Sequence, residues 1–196
     1  MKILKLLLGL ILILVLLAVG GYTYMGGFST PVVLEKRLGA IDVVYATHRG
    51  SYSKLSESWT PFMAKTQELG LEECNGLAFY LDPPDTPEAD LRTIIGCRID
   101  GLGAGIQSKL KEHFPVFFFP GARTLHGSFP YVNVFSFMLG PTRVYPEMQK
   151  ILEDTGAKPP VAIEIYGPVS GLEEIHYYMP LDSGPATYQT LLAAFE

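Results

Sequence analysis

Ala78-Phe79-Tyr80-Leu81-Asp82-Pro83 and Ala162-Ile163-Glu164-Ile165-Tyr166-Gly167-Pro168 decide the fold. Each reads as a short strand stopped by proline, and each occupies the same place in a recurring order of elements. Upstream of the first, Ile41 to His48 has strand character and ends at Arg49-Gly50-Ser51. Tyr52, Leu55, Trp59, Phe62, Thr66 and Leu69 then recur at helical spacing until Gly70 closes the helix. Upstream of the second, Phe117 to Phe119 and Arg123 to Ser128 form a strand region ending in His126-Gly127-Ser128-Phe129. A helical stretch follows from about Tyr131 to Asp154, broken near Gly140-Pro141 and closed by Gly156. Beyond each quoted strand lies a turn and a second strand, Leu91 to Ile99 and Glu174 to Leu181.

The two halves match in detail. His48-Arg49-Gly50-Ser51-Tyr52 answers His126-Gly127-Ser128-Phe129, and Gly70 answers Gly156. Each half is strand–helix–strand–strand with one apolar sheet face to cover. The expected fold is therefore α+β. A duplicated strand-helix-strand-strand repeat forms a pseudo-twofold antiparallel sheet with helices on one face, preceded by a transmembrane helix. The expected organisation is an anchor or signal peptide over 1–27, a linker over 28–40, and a domain over 41–185. Within that domain the repeats span about 41–100 and 116–182, and a tail covers 186–196.

No Asp, Glu, Lys or Arg occurs from Leu6 to Leu34, and Lys2 and Lys5 precede that run. A spanning helix needs about 20 apolar residues, and Leu6 to Met25 supplies 20. Tyr22 and Tyr24 stand where an interfacial aromatic belt would lie. A cleaved signal peptide is the alternative, with Ala18-Val19-Gly20 as its small-x-small triplet. Lys2, Lys5 and the α-amine on one side nearly balance Lys36 and Arg37 on the other, so charge leaves the orientation open.

Without Lys2 and Lys5 the chain holds 13 basic and 20 acidic groups, a net of −7. That balance, with no basic cluster, argues against a nucleic-acid partner and suits a cationic or neutral ligand. Cys74 and Cys97 form no metal or redox motif. A hairpin centred near residue 86 would set position 75 opposite 97 and 74 opposite 98, bringing the two thiols within disulfide range. A bridge, which would imply an oxidising compartment, and two buried free thiols both fit the sequence.

Thr47-His48-Arg49-Gly50-Ser51-Tyr52-Ser53-Lys54-Leu55, Phe79 to Pro84, Leu91-Arg92 and Ile163 to Tyr166 resemble the GyrI-like small-molecule-binding domain. This is the effector-binding domain of some bacterial transcription activators. Val116 to Pro120, Ser128 to Tyr131, Arg143-Val144 and Glu164 to Tyr166 are similar to the membrane-anchored domain of the animal ER-phagy receptor. The likeness covers about residues 30 to 185. The helix-turn-helix of the regulators and the disordered tail of the receptor have no counterpart in these residues, so neither transcription nor autophagy is carried over. The resemblance implies a membrane-anchored module that binds a hydrophobic or cationic small molecule in a cleft between the repeats. The receptor likeness favours a cytosolic domain and a Cys74–Cys97 bridge the extracytoplasmic side; the balance leans slightly outward.

Alternation in Val161 to Tyr166 separates Ile163 and Ile165 from Ala162, Glu164 and Tyr166. The isoleucines are expected beneath the helices and Glu164 on the opposite, concave face, with Ala78, Tyr80 and Asp82 matching it in the first half. On the last strand His176 and Tyr178 separate from Ile175, Tyr177 and Met179, and either set could face the cleft. A carboxylate among aromatic rings suits an amphipathic cation, and Glu164 matches the acidic residue that engages cationic ligands in multidrug-binding members of the family. The candidate ligand-binding residues are Glu164, Tyr166, Tyr80, Trp59 and Tyr178. Against this, Glu164 could pair with Arg92 or Arg98, and Trp59 and Tyr52 could be core. His48 and His126 read as turn groups rather than a metal site. Gly101-Leu102-Gly103-Ala104-Gly105 reads as a flexible connection. No catalytic motif, cofactor or metal set is present in the pattern. The expected partners are a small-molecule ligand and the membrane, with protein partners unassigned. Two further readings are a hydrolase of cyclopropane-type small molecules and a membrane-tethered protein-interaction adaptor.

Overall fold

The computed structural model describes residues 2–83 and 85–196, with Val169 described by its backbone alone. Its first element is helix α1 (Lys2–Tyr24), with no buried residue and a mean hydropathy of 3.0 over its 18-residue window. It is long and apolar enough to cross a membrane. The rest builds one antiparallel sheet from β1 (Leu34–Leu38), β2 (Ile41–Arg49), β3 (Gly76–Tyr80), β4 (Arg92–Arg98), β5 (Val116–Phe119), β6 (Ala122–Pro130), β7 (Ala162–Gly167) and β8 (Glu174–Pro180). The strand order is β1-β6-β8-β7-β3-β4-β2-β5. Reading outward from the β7–β3 junction gives the same sequence of elements on both sides, which is the expected pseudo-twofold. Ala78 lies opposite Glu164 and Tyr80 opposite Ala162 at that axis.

Three helices cover one face. Helix α2 (Leu55–Glu68) and α3 (Ala104–His113) pack Phe62 and Leu110 against Val44, Ile95 and Ile99. Helix α4 (Ser136–Thr155) packs Val144, Met148 and Leu152 against Leu125, Ile175 and Tyr177. Helix α3 begins within the stretch expected as a flexible connection, after Gly101–Gly103, which are non-helical. Only Ala104-Gly105 of its first turn lies in the glycine-rich stretch, and burial of Leu110 holds the rest. Nor does α4 break at Gly140-Pro141. Pro141 and Pro146 each remove one backbone donor, yet the stripe Gly140, Val144, Met148, Leu152 stays buried and tertiary packing carries the helix through. Gly70 and Gly156, at φ +96° and +69°, take the left-handed conformation expected of helix C-termini.

The other face carries a second core: Ile41, Val43, Tyr45, Leu77, Phe79, Ile94, Ile163 and Ile165, closed by Tyr188 and Leu191. Tyr188 and Leu191 belong to Pro185–Tyr188 and α5 (Gln189–Ala193), where a tail was expected. The expected linker likewise supplies β1, with Leu34 opposite His126. Both segments therefore pair with or pack on the sheet. In the first hairpin Cys97 pairs with Gly76, one residue from the expected register; Pro84 of its turn lies outside the described residues. Cys74, two positions before Gly76, is disulfide-bonded to Cys97 across a Cα–Cα distance of 5.3 Å.

Candidate ligand-binding site

The period-two reading of β7 holds, but the faces are exchanged. Ile163 and Ile165 enter the core capped by the C-terminal segment, and Glu164 points toward the helices. Alternation sorts a strand into two sets without naming the face, and here both faces are covered, so an apolar set does not identify the helix side. The site follows from this. Glu164 is at the pseudo-twofold axis on the floor between α2 and α4, and only 4% exposed.

Three tyrosines converge on it. The Tyr145 hydroxyl, from α4, donates to Oε1 at 2.7 Å. The Tyr166 hydroxyl donates to Oε2 at 3.0 Å. The Tyr80 hydroxyl is 3.5 Å from Oε2 but 3.1 Å from the Tyr166 oxygen. A phenol has one proton to give, so the better geometry is a relay from Tyr80 to Tyr166 to Glu164. Each carboxylate oxygen thus has one good donor and spare acceptor capacity. The two basic residues that could have neutralised Glu164 are engaged elsewhere: Arg92 pairs with Asp82 at 2.6 Å and Arg98 with Asp100 at 2.5 Å. Among the described residues no basic side chain forms an ion pair with Glu164.

Burial pushes the Glu164 carboxyl up to about 7, while the hydroxyls of Tyr145, Tyr166 and Tyr80 pull it down. Burial, and then the charge of Glu164, drives those three phenols well above their usual range, so they remain donors. Rings frame the carboxylate. Tyr52 stands edge-on to Tyr80 at 5.0 Å, Phe137 edge-on to Tyr166 at 5.4 Å, and Trp59 lies 6.2 Å from Tyr166. Tyr52 is exposed and Trp59 partly so, which makes them rim rather than floor.

Of the residues expected here, Glu164, Tyr166, Tyr80 and Trp59 come together. Tyr178 does not. It lies on the far face in contact with the His126 ring at 4.7 Å, and Tyr177 takes the position opposite Glu164. Tyr145 was missed, although an aromatic hydroxyl three residues before Met148 and seven before Leu152 on an apolar stripe is a legible signal. His48 bonds to Ser58 and to the Ser51 carbonyl on the helix side, whereas His126 meets His176 at 3.3 Å on the other, so the two do not share a site. A surface hollow of about 370 Å³ is lined by Arg98, Ile165, Tyr166 and His176, and Glu164 is not among its lining residues.

No family model matches the chain, and no curated protein does. Its fold is similar to that of the EcmrR C-terminal domain, with a TM-score of 0.55 and 11% identity over 79% of this chain and 99% of that one. An integron cassette protein from the mobile metagenome of Vibrio cholerae aligns with a TM-score of 0.52 and 11% identity, over 76% and 95% of the two chains. SAV2435, solved bound to tetraphenylphosphonium, aligns with a TM-score of 0.50 and 13% identity over 78% and 94%. At these identities the likeness is one of fold alone, shared with the EcmrR C-terminal domain, the cassette protein and SAV2435.

Proposed function

We propose that this chain is a membrane-anchored binding protein for lipophilic organic cations, with Glu164 as counter-ion and the surrounding rings as walls. One observation carries the reading: a buried carboxylate that, among the described residues, no basic side chain pairs with, held by tyrosine hydroxyls and framed by aromatic faces. An unpaired buried charge is costly, and a cation with apolar substituents offsets that cost while gaining cation–π contact. The fold of SAV2435 accommodates tetraphenylphosphonium, which makes that ion the first probe. Helix α1 supports the anchor. The Cys74–Cys97 bridge supports placement of the domain on the oxidising, extracytoplasmic side.

The test is titration of the full chain in lipid nanodiscs with tetraphenylphosphonium, read by quenching of Trp59, the single tryptophan. Glu164→Gln keeps the side-chain volume and an acceptor for Tyr145, and is expected to weaken binding by about tenfold or more. Equal binding by wild type and variant would remove the counter-ion role. The pH profile adds a second constraint. The cation selects the carboxylate, whose titration lies at about 7. Affinity should fall about tenfold per pH unit below that point and stay level above it.

A further inference from the structure

We propose that the exposed apolar segment Val134–Met138, together with Phe28, beds into the head-group layer of the bilayer, so that the Phe137 side of the Glu164 site faces lipid. This rests on the reading of α1 as a retained membrane span. The junction between α1 and the domain is short and fastened. Gly27 donates its N–H to the Tyr22 carbonyl, and Ser29 to that of Gly26. The Arg143 guanidinium, on α4, donates to the Ser29 carbonyl at 2.7 and 3.1 Å. A methyl group at Gly26 would touch Phe129 and Pro130, so the chain passes from α1 directly onto the corner where β6 meets α4. The residues between Tyr24 and Ser29 span at most about 15–18 Å when extended. That corner is therefore held at the level of the membrane surface.

The same corner carries the apolar patch. Val134, Phe135 and Met138 are 64%, 60% and 72% exposed, and Phe28 is 63% exposed. Phe28 also sets its level: its ring lies edge-on to Tyr22 at 4.8 Å, and Tyr22 belongs to the interfacial end of α1. Isolated exposed apolar residues need no account, but several within five positions form a surface that wants a partner. The junction selects that partner, because it holds this surface beside the end of α1. No Asp or Glu occurs from His113 to Pro146, although the chain holds 20 of them, and Arg143 lies within that stretch. Glu173 and Glu174 stand beside Tyr131 and Pro130 at the edge of this corner, so apolar burial rather than charge draws the segment to lipid.

The segment is also a wall of the site, because Phe137 packs on Tyr166, which holds Glu164. A lipophilic cation concentrated in the head-group layer would then reach the carboxylate without crossing bulk water.

Depth-dependent fluorescence quenching of the full chain tests this, in vesicles of phosphatidylcholine with phosphatidylglycerol containing brominated acyl chains. Phe135→Trp and, separately, Met138→Trp are made in a Trp59→Phe background, with Glu112→Trp on α3 as the water-facing control. Bedding predicts blue-shifted emission and roughly twofold or stronger quenching by shallow bromines at both positions, and none at the control. Alkaline carbonate extraction of the same vesicles tests the anchor separately. If the chain stays in the membrane but both introduced indoles behave like the control, the bedding proposal is overturned, and the patch belongs to a soluble partner. If carbonate releases the chain, the anchor reading falls, and this proposal with it.

Discussion

Glu164 is an acid that the fold tolerates more easily when protonated, and this sets the sign of its effect on stability. Its titration is raised from an ordinary carboxylate value of 4.5 to about 7, burial being the chief cause. A raised folded value means that the group's favourable contribution is complete below about 4.5 and is lost as pH rises through 7. The loss is on the order of 3 kcal/mol. Glu164→Gln cannot ionise, so urea unfolding should show the variant gaining on wild type between pH 5 and pH 8 by up to that amount. A constant difference between the two would mean that Glu164 is not desolvated as the structure has it. Period-two alternation in β7 made Glu164 and Tyr166 legible as neighbours, and the repeat added Tyr80. Tyr145 is legible as an aromatic hydroxyl beside the α4 stripe, but its meeting with Glu164, like that of Tyr177, depends on which sheet face α4 covers, and alternation does not name that face.

Two elements are seated by single contacts that substitution can probe. Helix α4 approaches β8 so closely that a methyl group at Gly140 would overlap the Tyr177 hydroxyl, whose own hydrogen-bonding capacity is unmet. In an open helix Gly→Ala gains about 1 kcal/mol. Here Gly140→Ala should instead lose about 2 kcal/mol or more, since Tyr177 is fully buried and cannot retreat. Tyr177→Phe removes an unpartnered hydroxyl and should be near neutral, and in that background the cost of Gly140→Ala should shrink. A thermodynamic cycle from chemical denaturation checks the coupling; additive effects would place the clash elsewhere. In the first half the Cys74–Cys97 bridge closes a separation of 23 residues. Loop-closure entropy for that length is about 3 kcal/mol, so reduction should lower the denaturation midpoint correspondingly. An unchanged midpoint would show that the bridge does not constrain the unfolded chain. Sequence spacing placed the cysteines on paired strands, but the register was one residue out, because the centre of a proline-rich turn does not fix strand pairing.

The whole molecule closes a sheet on both sides, and it does so with a segment that sequence reading set aside as a tail. Pro185 to Ala193 has too few residues to show a helical period, although Ala186, Tyr188, Leu191, Leu192 and Ala193 make it apolar. Its weight comes from what it covers. Among the described residues no long helix covers the face holding Phe79, Ile94, Ile163 and Phe119, and Tyr188 and Leu191 pack there at 1% and 0% exposure, with Leu192 and Phe195 against them. Losing a buried tyrosine or leucine costs about 2–5 kcal/mol each. Deleting 185–196 removes both, together with the partial burial of Leu192 and Phe195. That loss is comparable with the roughly 5–15 kcal/mol that holds an ordinary domain together. The truncated chain should therefore lose its fixed tertiary packing, not merely melt a few degrees early. Near-ultraviolet circular dichroism is the suitable measure, because α1 would keep a strong helical signal in detergent whatever the domain does. A truncated protein with the full-length near-ultraviolet spectrum and a cooperative melt would show that the curled sheet can close this face alone. Tyr188→Ala then separates the effects of segment and side chain. If burial of that ring is what matters, the point variant should lose about 3–5 kcal/mol by itself.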